Sequence, residues 1–256
     1  LRTSDMPKRA ALFHSYPSGN GDVYGQGRRE RLEELTDLYP EVVNSDNFDL
    51  HADNLRDVEV IFATWGMPRL TAEQLGKMPK LEAVFYAAGN VRAFAQPIVD
   101  HGIMLVGAWD MNAIPVAEMA LAQILLSCRG YYRAIRDYHE THDHGKAKTF
   151  HRPGVNGETI GLIGMGMIGA RLSALLQGFS FRVIANDPYL SEEQAAELGV
   201  EIVSLEELFR RSYIVSNHIP DLPSTKEVLT GSLFDSMREG ATFINTGRGL
   251  KCRKPA

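Results

Sequence analysis

The feature that most limits how this chain can fold is a succession of short apolar runs. Each is bounded by turn residues and separated from the next by an amphipathic stretch. RAALFHS (9–15), VEVIFATW (58–65), LEAVFYAAG (81–89) and IMLVGA (103–108) form a first series. Strands buried on both faces read this way, which predicts a parallel sheet covered by helices. GRRERLEELTDLY (27–39) reads as one such helix, with Leu32, Leu35 and Leu38 on one face. A second series follows: strands TIGLIG (159–164), FRVIAND (181–187), EIV (201–203), YIVSNHI (213–219) and ATFINTG (241–247). Helices are predicted near 167–178, at SEEQAAEL, at SLEELFRR and near 231–238.

Between the two series lies the longest helical stretch, 116–140, with Pro115 at a first-turn position and Gly130 ending or bending it. The polar run 141–158 reads as a connector. The expectation is an α/β protein of two units, 1–108 and 109–256, hinged near 109–115. A length of 256 residues allows one large domain or two ordinary ones. A net charge of −5 argues against a nucleic-acid partner, which calls for a basic face. Cys128 and Cys252 lie far apart and suit a reducing cytosol better than a disulfide framework. No apolar run is read as reaching the roughly 18 residues of a membrane span, and no signal peptide opens the chain. A cytoplasmic protein with no membrane partner is therefore expected. Met6 reads as the natural start.

The glycine pattern Gly164-x-Gly166-x-x-Gly169 sits where a strand runs into a helix. In that context the first glycine permits a tight turn and the second lets a pyrophosphate approach the backbone. The third lets helix and strand pack closely. Helix-start amides and the helix dipole stabilise the anion. The plainer reading is a strand–helix turn with glycines for packing alone. Asp187 ends the next strand, 18 residues beyond Gly169, where a carboxylate accepts both ribose hydroxyls and repels a 2′-phosphate. Its flanks Asn186, Pro188 and Tyr189 include no arginine, so NAD is favoured over NADP. A turn or helix N-cap is the alternative role for Asp187.

Three segments, PVAEMALAQILLSCRG, GLIGMGMIG…NDP and NHIPDLPSTKEVLTGSLFDSMREGATFINTGRG, together resemble the D-isomer-specific 2-hydroxyacid dehydrogenases. The resemblance is strong over 109–249; the first hundred residues match in architecture and at AAGNV. It implies a flavodoxin-like substrate domain, a Rossmann-type NAD-binding domain, a homodimer and a 2-hydroxy or 2-keto acid substrate. It further implies that Gly164, Gly166, Gly169 and the amides of Met167 and Ile168 hold the pyrophosphate, and Asp187 the adenosine ribose. His218, Ile219 and Pro220 would border the nucleotide, with Thr225 closing that edge and Thr246 and Gly247 beside the nicotinamide. Gly89 and Asn90 would offer amides to the substrate carboxylate; Arg92 departs from the acidic residue usual after that loop. Arg248 would pair with the substrate's carboxylate and carbonyl. The chemistry agrees, because a planar, always-charged guanidinium addresses both oxygens at once. A fringe arginine is the plain alternative.

In the family the proton donor is a histidine oriented by a glutamate, both downstream of the arginine. Only LKCRKPA follows Gly249, so the last strands of the NAD domain are expected to lie outside this chain. A nucleotide-sensing corepressor and an inactive fragment are the rival readings. His218, and less so His14, are the local candidates for a substitute acid. His139, His142, His144 and His151 invite a metal reading, but a solvated loop explains them and no metal is expected. Trp65 and Met67 follow a strand end, where they either line a substrate site or pack the loop.

Overall fold

The computed structural model describes residues 6–15, 23–142 and 154–247. It divides into two compact units, Leu1–Asn112 and Ala113–Ala256.

In the first unit the chain runs β1 (Arg9–Phe13), α1 (Arg28–Leu35), β2 (Asp37–Val43), α2 (Phe48–His51), β3 (Val60–Ala63), α3 (Ala72–Gly76), β4 (Ala83–Tyr86), α4 (Ala95–Asp100) and β5 (Met104–Gly107). All neighbouring strands are parallel, in the order β2-β1-β3-β4-β5. That is the flavodoxin-like winding. Phe13, Phe48, Ile61, Val84 and Ile98 centre one continuous core on one face of the sheet.

The second unit takes in most of α5 (Trp109–Cys128), then α6 (Tyr131–Thr141), β6 (Thr159–Ile163), α7 (Met167–Leu176), β7 (Arg182–Asn186), α8 (Glu192–Glu197), β8 (Glu201–Ile202), α9 (Leu205–Arg211), β9 (Ile214–Asn217), α10 (Gly231–Asp235) and β10 (Thr242–Asn245). Its parallel sheet has the order β10-β9-β6-β7-β8, with the first strand central and the chain winding outward on both sides. Strand β6 shows why the sequence reads as apolar without alternation. Ile160 and Leu162 enter one core with Ala117, Ile124 and Leu172, while Ile163 enters another with Leu208, Phe209 and Val215. Both faces are dry.

Several expectations need correction. The helix expected over 27–39 stops at Leu35, and Asp37–Val43 is a strand that pairs with β1. Leu32, Leu35 and Leu38 therefore share no buried face; α1 buries no residue, and Leu35 is 56% exposed. The division between the units, at Asn112/Ala113, lies within the stretch 109–115 where a hinge is expected. That stretch is helical rather than a loop, since α5 begins at Trp109 and carries Pro115 inside it. Gly130 does end that helix, in a left-handed conformation between α5 and α6.

Contrary to the reading of apolar runs, α5 is long and apolar enough to cross a membrane by length and composition, with mean hydropathy 1.4. Polar residues are spread along it, so the helix contains no unbroken apolar run of that length. Its Ala117, Ala120, Ile124 and Cys128 are built into the core of the second unit.

Candidate nucleotide-binding site

The three glycines do three different things. Gly164 leaves β6 in the left-handed region at φ 85°, and a Cβ there would crowd Ile219 and the backbone of His218 at 3.0–3.2 Å. Gly166, the N-cap of α7, has open space where a Cβ would stand, so backbone is presented bare. At Gly169 a Cβ would lie 2.1 Å from the Gly164 carbonyl oxygen, closer than any side chain tolerates. The helix therefore starts hard against the strand it follows. Its first amides, including those of Met167 and Ile168, have no intrahelical carbonyl to bond. An anion above Gly166 meets these donors at the positive end of a helix dipole.

Asp187 stands just beyond β7, beside this turn. Its Oδ2 accepts from the Met165 amide at 2.7 Å and its Oδ1 from the Tyr189 amide at 2.9 Å. Each oxygen keeps a lone pair for a further donor. The carboxylate thus braces the turn while remaining able to accept ribose hydroxyls.

On the other side of β6, a polar network ties the ends of β9 and β10. The Thr246 hydroxyl donates to the Asn217 carbonyl at 3.0 Å, so its oxygen is left to accept from His218 Nδ1 at 2.7 Å. Asn217 Nδ2 donates to Asn245 Oδ1, which also accepts the Gly247 amide, both at 3.0 Å. Burial holds the His218 imidazole neutral, with its pKa pushed down to about 4. Its Nε2 is then a buried bare acceptor with no partner among the described residues, while the His218 backbone lies against the glycine turn. A neutral ring whose proton sits on Nδ1 has none on Nε2 to give, which argues against His218 as a substitute acid. Thr225 is occupied in its own turn, donating toward the Pro220 and Leu222 carbonyls and accepting the Leu222 amide. Asn217 and Asn245 escaped the sequence reading, because an asparagine at a strand end carries no pattern of its own.

Gly164, Gly166, Met167, Ile168, Gly169, Asp187, His218, Ile219, Thr246 and Gly247 thus gather at the carboxyl ends of β6, β7, β9 and β10. Gly89 and Asn90 follow β4 in the first unit. A Cβ at Gly89 would press on Asn112 Nδ2 at 3.2 Å, and Asn90 Oδ1 accepts the Arg92 amide at 3.0 Å. Arg248, Cys252, His144 and His151 lie outside the described residues. Met67 packs into the core of the first unit, whereas Trp65 is 46% exposed. Among the described residues no cluster of three or more His, Cys, Asp or Glu side chains could hold a metal.

A glycine cradle at a helix start, a carboxylate beyond the next strand and an orphaned acceptor opposite them define a dinucleotide-binding α/β domain, and the residues fit that cofactor. Residues 121–256, more than half the chain, match the family described as D-isomer specific 2-hydroxyacid dehydrogenase, NAD binding domain. The chain belongs to this family and carries its NAD-binding domain.

It is 31% identical over 179 residues to the D-3-phosphoglycerate dehydrogenase of Mycobacterium tuberculosis, covering 70% of this chain and 34% of that one. The chain spans about a third of the length of such curated relatives. Among solved structures, it resembles the Aquifex aeolicus D-lactate dehydrogenase complexed with NAD and lactic acid. The TM-score there is 0.70 at 25% identity, covering 94% of this chain and 70% of that one. The D-mandelate dehydrogenase of Rhodotorula graminis shares the fold, with a TM-score of 0.76 at 21% identity, covering 97% and 76%.

Proposed function

We propose that this chain serves an NAD-dependent dehydrogenase that interconverts a 2-hydroxy acid and its 2-keto acid. The observation that carries the reading is the Gly164-Gly166-Gly169 cradle braced by Asp187. When bound, NADH would supply the hydride that reduces the keto carbon. The chain's own residues hold and orient. The first amides of α7 take the pyrophosphate, Asp187 takes the adenosine ribose and disfavours a 2′-phosphate, and His218 Nε2 accepts a donor from the nucleotide. The resemblance to the family assigns the acid's carboxylate and carbonyl to Arg248. An arginine in that role stabilises charge as it grows on the carbonyl oxygen, commonly worth roughly 3–4 kcal/mol of barrier.

A cytoplasmic homodimer belongs to the same proposal. The dimer is supported by the exposed apolar side chains of α5 and α6, namely Met119, Leu126, Tyr131, Tyr132, Ile135 and Tyr138.

Titration with NADH and NADPH, followed by assay of 2-keto acid reduction, tests the reading. NADH should bind more tightly and be consumed. Equal affinity for the two nucleotides sinks the role of Asp187. Tight NADH binding without turnover of any 2-keto acid sinks the enzymatic reading in favour of a nucleotide sensor.

A further inference from the structure

The second unit has a polar recess that nucleotide binding does not use. A cavity of about 370 Å³ is lined by Ser127 of α5, by Arg133 and Arg136 of α6, and by Tyr213, Glu239 and Thr242. Tyr213 and Thr242 stand at the amino ends of β9 and β10, whereas the glycine turn and its polar network gather at the carboxyl ends. The two recesses therefore lie at opposite ends of one sheet. A cavity of this size suits a small metabolite.

Its donors outnumber its acceptors. Ser127 is 5% exposed, and its hydroxyl, carried on one rotatable bond, has no hydrogen-bond partner among the described residues. Buried hydroxyls are nearly always partnered, so an orphan in the lining of a cavity marks a place for an acceptor. Helix α6 starts beside it. The Gly130 amide donates to the Ser127 carbonyl at 2.9 Å, a turn that brings Ser127 next to the first amides of α6. Those amides have no intrahelical carbonyl to bond. Gly130 brings no side chain to cap them, and the first turn carries no acid to offset the helix dipole. Arg133 makes no ion pair among the described residues, and Arg136 reaches only its neighbour Asp137, at 4.0 Å.

We propose that this recess is a second anion site, which binds a phosphate group, free or carried by a small metabolite. A tetrahedral oxyanion has acceptors enough for a guanidinium, the helix-start amides and the Ser127 hydroxyl together. A planar carboxylate, with two oxygens in one plane, meets fewer of them. Glu239 is the acid in the lining, and its charge opposes the ligand. Affinity is therefore held below what two arginines would give alone, and removing that charge is itself a test.

The test is titration of the full chain with inorganic phosphate, followed by amide nuclear magnetic resonance, first without NADH and then with NADH at saturation. The amides of Tyr131, Tyr132 and Arg133 should move together, with one affinity, in both conditions. Arg133→Gln should weaken binding about tenfold and Ser127→Ala about threefold, while Glu239→Gln should tighten it. Ser127→Ala places the best helix former in a helix, so it should fold. Glycerol phosphate separates the two sources. Tighter binding than inorganic phosphate supports a phosphorylated metabolite as the occupant, and equal affinity supports free phosphate. Displacement by NADH would put the phosphate in the glycine cradle and overturn the second site. Unmoved α6 amides, or wild-type affinity in Ser127→Ala, would leave only exposed arginines meeting an ion and overturn it equally.

Discussion

The Asp187 carboxylate accepts the Met165 amide at 2.7 Å, joining the end of β7 to the middle of the glycine turn. One side chain therefore has two separable tasks, shaping the turn and receiving a ribose. Asp187→Ala should cost about 1–3 kcal/mol of stability, since a half-buried amide loses its acceptor, and should weaken NADH binding as well. Asp187→Asn loses the charge and keeps one acceptor oxygen, enough for the half-buried Met165 amide, while the exposed Tyr189 amide turns to water. It should unfold near the wild-type midpoint while binding NADH about tenfold more weakly. Urea unfolding beside NADH titration separates the two; equal losses of stability in both variants would refute the division of labour.

Gly166 and Gly169 make opposite predictions. A Cβ on Gly166 meets nothing, and its φ of −67° suits any residue, so Gly166→Ala should change stability by less than about 0.5 kcal/mol. The added methyl still stands where a pyrophosphate must approach, so NADH affinity should fall about tenfold or more. Gly169→Ala drives a methyl into the Gly164 carbonyl, which is backbone and cannot rotate away. A loss of about 3 kcal/mol in unfolding free energy is expected. Affinity measured alongside stability decides whether each glycine serves the ligand or the fold.

Much of this was legible in the sequence because parallel strands in a covered sheet must be apolar on both faces, and Ile160, Leu162 and Ile163 show it. The glycine turn was legible for the same kind of reason, since steric rules leave few alternatives at such a junction. Strand β2 was not legible. DLYPEVV carries exposed Asp37, Pro40 and Glu41, the composition of an edge strand, and it continues a charged helix without a glycine or proline at the join. The start of α5 was hidden by Pro115, a residue that more often opens a helix than sits seven residues into one. The polar network of Asn217, His218, Asn245 and Thr246 depends on two strands 28 residues apart in sequence becoming neighbours, which no local pattern announces.

Glu158 is 6% exposed and meets both terminal nitrogens of Arg238, whose guanidinium also lies over the Tyr213 ring at 5.3 Å. Its Oε1 also accepts the Thr159 amide at 2.8 Å, where β6 begins. Removing the arginine strands a buried carboxylate, for which about 3–5 kcal/mol is usual. Arg238 is itself 42% exposed, so water will relieve part of that cost and about 2–3 kcal/mol is expected for Arg238→Ala. The double variant Glu158→Gln/Arg238→Ala should recover part of the loss, and a double-mutant cycle by urea unfolding measures it.

His218 predicts a pH dependence of stability that one substitution should remove. Its pKa in the folded protein is pushed down to about 4 by burial, below the ordinary value of 6.5. Between these two values the unfolded chain binds a proton that the folded chain refuses, so unfolding draws free energy from protons and stability rises with pH. The full benefit of the neutral ring is present above pH 6.5 and is lost as pH falls through about 4. A difference of this size corresponds to roughly 3 kcal/mol at most. Replacing His218 by Gln, which retains a donor toward Thr246 but has no titrating ring, should flatten that part of the profile and leave the acid unfolding of other groups in place. NADH gives an independent reading. If Nε2 accepts a donor from the bound nucleotide, protonation removes the acceptor, so wild-type affinity should fall toward pH 4 more steeply than that of His218→Gln. Matching slopes for the two proteins would mean that the orphaned nitrogen meets no ligand atom.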